Sequence, residues 1–141
     1  MLDHPRGPAL LDAVARLLRE TLIPQLPPGA VFQARVAANA VDLAAREMRQ
    51  VADAESQARD RLTALLGHDG DLPTLEAELA ARLRRGDINT DHPGLQQHLW
   101  ATTLAKLAID QPSYAPYRRT LEQLEQRAGT ATDQPQHHPK E

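Results

Sequence analysis

Apolar residues recur at three- and four-residue spacing in one stretch after another along this chain. The most continuous is VFQARVAANAVDLAAREMRQ, residues 31–50, with no Gly or Pro inside it. Phe32, Val36, Ala40 and Leu43 fall on one helical face, and Ala37, Val41, Ala44 and Met48 carry the apolar surface round the side. A helix apolar over so much of its circumference is expected at the centre of a bundle, with neighbours on more than one side. Two polar residues interrupt it: Asn39 between Phe32 and Leu43 in projection, and Arg35 at the edge.

The flanking segments repeat the helical pattern. Residues 1–7 read as a short extended lead. From Pro8 a first helix is expected to about Ile23, with Leu10, Val14, Leu17, Leu18 and Thr21 as its core stripe and Pro24 as its stop. PQLPPG is a stiff turn. After Gln50 the stretch VADAESQARDR is polar, its apolar residues too small to anchor it; it either continues the central helix into solvent or kinks near Asp53, and a break or kink is the favoured expectation, before Leu62, Leu65 and Leu66 begin a new stripe that Gly67 caps. Asp71 is placed as the N-cap of a third helix carrying Leu72, Leu75, Leu79 and Leu83. That helix stops at Arg84, Arg85 and Gly86. A fourth helix, capped by Thr90 or Asp91, runs from Gly94 to about Asp110. Its stripes are Trp100, Leu104, Leu107 and, beside them, Leu95, Leu99, Lys106, Asp110. A last amphipathic piece, Tyr114 to about Arg127, is charged and expected to pack weakly.

The short turns make neighbouring helices antiparallel. The expected fold is therefore all-α: a single-domain antiparallel bundle of four main helices plus a weak C-terminal one, over residues 1–128, with 129–141 a disordered tail. Aromatic residues are only 3% of the chain, so the core must be Leu, Val and Ala. Such a core suits helices packed on helices better than a sheet sandwich.

Charge and composition narrow the function. The net charge is −3 with both signs interspersed, and no basic stripe carries aromatics, so a nucleic-acid binder is disfavoured. No apolar run is long enough to span a membrane, and Asp3 and Pro5 stand where a signal peptide needs a basic start, so a cytoplasmic location is expected. Cysteine is absent, which removes thiolate chemistry and Cys-based metal sites. The six histidines show no i, i+4 pair on a helix and no HExxH, and HDGD at 68–71 lacks the closing Glu of a calcium loop, so no metal or cofactor is expected. There is no GxSxG around either serine and no P-loop.

What remains is a scattered polar set. Arg35 and Asn39 lie one turn apart. Read structurally, the amide satisfies a neighbour and the Arg stem covers apolar surface. Read as a site, they offer a fork and an amide to a carboxylate or phosphate. Lys106 and Asp110 are spaced to pair along the helix surface. Alternatively, with Tyr114 and His98, they face Arg35 and Asn39 across the bundle and form one polar ligand-binding cluster. No catalytic residue is assigned.

The stretches FQARVAANAVDLAARE, LLGHDGDL, LEAELAARLRRGDI and LQQHLWATTLAKLAIDQPSY together resemble a family of small bacterial helical proteins of unknown function, the DUF6285-type domain. Its pattern resembles F-x-x-R-V-A-A-N-A, L-L-G-x-x-G, L-x-x-H-L and K-L-x-x-D-x-P-x-Y. Here that pattern falls on Phe32, Arg35, Val36, Asn39, Gly67, Gly70, Leu95, His98, Leu99, Lys106, Leu107, Asp110, Pro112 and Tyr114. Gln111 stands where that pattern has Asn. The resemblance covers roughly residues 9–115. Members lie beside, or fused to, aminoglycoside-phosphotransferase-like kinases and near acyl-CoA dehydrogenases. The resemblance therefore implies an accessory role and transfers no catalytic residue. Two functions are expected to compete: a non-catalytic accessory domain that binds such an enzyme or a second copy of itself as a homodimer, and a small-ligand binder or weak enzyme built on the polar cluster.

Overall fold

A computed structural model describes the backbone of residues 6–132 and side chains of residues 6–128. Among the described residues there are five α-helices and no strand: α1 (Gly7–Leu17), α2 (Pro28–Leu66), α3 (Leu72–Arg85), α4 (Pro93–Asp110) and α5 (Ala115–Thr132). Among the described residues no helix is long and apolar enough to cross a membrane.

The 39-residue α2 is the axis of the molecule, about 58 Å long at the rise of an α-helix. It starts at Pro28, where a missing N–H is harmless, and runs without a break through 51–60. The expected kink near Asp53 is absent. The segment holds no Gly or Pro and is rich in Ala, Arg, Glu and Gln, all good helix formers. Its small apolar residues are the anchor they did not seem to be. Val51, Ala54 and Ala58 turn inward, and their size lets α4 lie close.

α1 lies antiparallel along the first half of α2. Arg49 pairs with Asp12 and donates to the Pro8 carbonyl at one end, and Arg19 pairs with Asp42 at 2.6 Å at the other. The helix does not stop at Ile23. It widens into a π-turn over Leu18–Leu22, with the Ile23 N–H reaching the Leu18 carbonyl. It then tightens into a 3-10 turn over Ile23–Gln25. Pro24 has no N–H to give and its ring needs room near the preceding turn, so the chain changes pitch around it instead of ending.

α3 and α4 pack on the other half of α2. Leu62, Leu66, Leu75, Leu79 and Leu95 form the buried cluster, with Leu65, Leu72, Leu83 and Ile88 against it. α4 runs back antiparallel along α2: Gly94 faces Leu65, and the Arg46 side chain donates to the Ile109 carbonyl at 2.6 Å. That guanidinium sits where the negative end of the α4 dipole and its free carbonyls need a cation.

The caps are those the sequence predicts, with one exception. Asp71 accepts from the Thr74 N–H, and Gly67 and Gly86 close α2 and α3 in the left-handed region. α4 is capped by His92, whose Nδ1 accepts from the Gly94 N–H, and not by Thr90 or Asp91. A Cβ at Gly67 would meet nothing within 4 Å, so its φ of +85° is a backbone requirement alone. Gly67→Ala is expected to lower stability by about 1–2 kcal/mol, read by urea denaturation. An unchanged midpoint would mean that the turn relaxes out of this conformation.

α5 has no buried residue among its described side chains, and only Tyr117, Thr120 and Leu121 are partly covered. Its backbone continues to Thr132, beyond the expected boundary at 128, and the remainder of the tail, residues 133–141, lies outside the described residues, as do residues 1–5.

The two halves of the molecule differ in what they bury. Leucines fill the α2–α3–α4 end. At the α1–α2 end the buried residues are Ala15, Ile23, Ala38 and Ala45. The stripe expected to be the core of α1, Leu10, Val14 and Leu17, is exposed, and so are Phe32, Val36 and Leu43 of α2. In α4 likewise, the Trp100 side of the helix faces outward and Leu95 and His98 face in.

Candidate functional site

Helix α2 and the link between α4 and α5 border a hollow lined by both polar and apolar side chains. Arg46 holds the end of α4 against α2, and Pro112 follows at once, so the chain must turn there. The turn is closed by the Tyr114 N–H, which donates to the Gln111 carbonyl at 3.0 Å. The result is an open hollow of about 560 Å³ into which Asn39, Arg46, Asp110 and Tyr114 project, with Val36 and Leu43 as its apolar wall.

On the next turn of α2 lies a second, smaller hollow lined by Arg19, Ile23, Arg35 and Asn39. Asn39 links the two. Its carbonyl oxygen accepts from the Arg19 guanidinium at 2.8 Å, and Asp42 holds the same guanidinium, which keeps Arg19 even more firmly charged than usual. Arg35 is exposed and has no hydrogen bond or ion pair among the described residues. A free cation beside a fixed one is suited to an anion, a carboxylate or a phosphate.

The six sequence-predicted site residues are therefore divided. Asn39, Asp110 and Tyr114 meet in the larger hollow, and Arg35 joins Asn39 in the smaller. Lys106 does not face them. It borders a separate, mainly apolar slot of about 420 Å³ between α2, α3 and α4, and it makes no ion pair with Asp110. His98 is buried, with Nδ1 unpartnered. Burial pushes its pKa below the ordinary range, the nearby Arg61 charge pushes the same way, and Glu76 opposes them. Lys106 and His98 fall away because Lys106 borders the slot beside α3 and His98 is buried nearer the start of α4. Lys106 shares the slot with Thr102 and Ala105 and lies on the α3 side, while Asp110 is the last residue of α4 and has already reached the turn. Arg46 was missed. Its signal was position, a cation on α2 opposite the end of α4, and this needs the pairing of the helices to be seen. Among the described residues no His, Asp and Glu side chains gather in a group of three that could hold a metal ion.

The sequence model of one family, described as a domain of unknown function (DUF6285), matches residues 24–114. That span is more than half of the chain. This protein belongs to the DUF6285 family. No curated protein and no solved structure matches it. The DUF6285 match is narrower than the 9–115 span of the motifs. It begins at Pro24, so it takes in α2, α3, α4 and the turn to Tyr114 and leaves out α1 and α5. Both walls of the larger hollow lie inside the matched range.

Proposed function

We propose that this DUF6285 chain is a non-catalytic, cytoplasmic accessory domain of a bacterial enzyme system, acting by binding another protein. The observation that carries this reading is the exposed apolar ridge on α2. Phe32 is 74% exposed, and Val36 and Leu43 continue from it into the hollow, beside the half-exposed Tyr114. An aromatic anchor with an apolar stripe and a polar hollow at its end is the composition of a protein-docking surface. The motif resemblance directs the choice of partner to an aminoglycoside-phosphotransferase-like kinase or an acyl-CoA dehydrogenase. In the test, each purified enzyme from the source organism is titrated with the chain by calorimetry. A micromolar or tighter complex is expected with one of them. Phe32→Asp is expected to weaken it about 30-fold or more with an unchanged circular-dichroism spectrum. Absence of binding to both enzymes at tens of micromolar counts against the reading.

The unpaired Arg35 beside Arg19 and Asn39 supports a second reading, a binder of small carboxylates or phosphates. A thermal-shift screen against acyl-CoAs, nucleotides and phosphorylated small molecules tests it, since a ligand of the native state raises the midpoint by mass action. A shift lost in Arg35→Ala is its expected result, and no shift with any compound removes it.

A further inference from the structure

We infer that a second copy of this chain covers the α1–α2 hairpin, and that two hairpins together make the four-helix bundle that one chain leaves incomplete. This does not rest on the enzyme-binding reading, because it concerns a different face.

The hairpin has two flanks. One is polar, marked by the Arg19–Asp42 and Asp12–Arg49 pairs that bridge α1 to α2. The other carries Leu10, Val14 and Leu17 on α1, at i, i+4 and i+7, and Val41, Ala44 and Met48 on α2, at i, i+3 and i+7. Met48 lies against Gly7, which places these two stripes side by side. None of the six is charged. Leu10, Val14, Leu17 and Met48 are between 44% and 58% exposed, while the buried seam beneath them is alanine. A hairpin that buries Ala15, Ala38, Ala45 and Ile23, covers Leu11 and Leu18 only in part and exposes Leu10, Val14 and Leu17 departs from the usual order of burial. It becomes an ordinary helical core only when two more helices close over it.

The exposed surface is large enough to include an interface with a second copy. A compact body of the described size shows about 6700 Å², and the fourteen residues outside the described range can add at most about 2200 Å² at the exposure of an unfolded chain. The chain exposes 10953 Å², an excess of roughly 2000 Å² over that limit. Part of the excess belongs to α5, which has no buried side chain among those described. A standard interface needs about 800 Å² from each partner. The flank is also self-complementary. A two-fold axis over it sets these six uncharged residues against an identical set, so they bring no like charges together. Two antiparallel hairpins supply the four helices of an up-down bundle.

The test is the mass of the full chain by sedimentation equilibrium from 1 to 200 µM, with Val14→Glu and, separately, Phe32→Asp. A dimer is expected for the unaltered protein and for Phe32→Asp, whose ridge is turned roughly 130° round α2 from the flank. Val14→Glu is expected to raise the dissociation constant at least a hundred-fold. In case Val14→Glu fails to fold, the cysteine-free background allows one spin label at Val14→Cys. Two copies then show a short interprotein distance, and copies diluted with unlabelled protein lose it. A chain that is monomeric at 200 µM overturns the inference, as does a folded Val14→Glu protein that still dimerises with native affinity, or a dimer whose Val14 labels are far apart. Loss of enzyme binding in Phe32→Asp with the dimer intact leaves this inference standing, and a monomer that still binds the enzyme sinks it while leaving the accessory reading in place.

Discussion

Leu75→Ala is expected to destabilise the protein by about 2–5 kcal/mol. Leu75 is fully buried, on the inner face of α3, within the cluster that joins α3 and α4 to α2. Its removal loses the transfer energy of the deleted carbons and leaves a cavity that Leu62, Leu79 and Leu95 cannot fill without moving helices. Gly70 adds to the cost, because the Leu75 side chain fills the space beside it; a Cβ at Gly70 would lie 3.2 Å from it. The measurement is urea unfolding at several protein concentrations. A loss in this range is expected at every concentration, since this core is internal to one chain. Leu17→Ala is expected to behave otherwise, with a loss that grows as the protein becomes concentrated enough to pair. A loss below about 1 kcal/mol for Leu75→Ala would mean that the α3–α4 end is loosely packed and that the assignment of the core is wrong.

The difference between these two leucines explains what the sequence makes legible. Helix positions and ends follow from local chemistry, and they were readable: Asp71, Gly67 and Gly86 act within their own turns. The choice of inward face depends on which helix packs where, and there the pattern misleads. In α4 the most apolar stripe, Trp100, Leu104 and Leu107, is not the deeply buried one. The inward face is Leu95 and His98, both buried, continued by Thr102, Ala105 and Ile109, which are partly covered. In α1 and α2 the seam is formed by Ala15, Ala38 and Ala45. Alanine stripes permit the closest approach of helix axes, and a reading that ranks positions by hydrophobicity passes over them. The continuity of α2 through 51–60 was lost for the same reason.

The candidate site was legible in its parts and not in its assembly. Asn39 is 71 residues from Asp110 and 75 from Tyr114 in sequence, and what unites them is the antiparallel return of α4 and the Arg46 contact to Ile109. No spacing rule reports a meeting of that kind. Lys106 and His98 satisfy the same sequence reasoning and end elsewhere.

His98 nonetheless has a measurable consequence of its own. It lies in the α2–α4 seam with Arg61 on α2 and Glu76 on α3 as the charged groups facing it, and burial together with Arg61 lowers its pKa and favours its neutral form in the folded state. The unfolded chain returns it to an ordinary pKa of 6.5. Below that value the unfolded state binds a proton that the native state resists, so stability falls with pH. The contribution is whole above pH 6.5 and is lost as pH drops toward the depressed native value. The melting midpoint is therefore expected to decline between pH 7.5 and pH 5, a window above the range in which the Asp71 cap and Glu78 take up protons, both being held below the ordinary carboxylate range. His98→Leu removes the titration and a buried ring nitrogen without a partner. Its midpoint is expected to vary less with pH over the same window, whatever its value at pH 7.5. Equal slopes for the two proteins would show that His98 takes up its proton equally well folded and unfolded, and that the α2–α4 seam admits solvent.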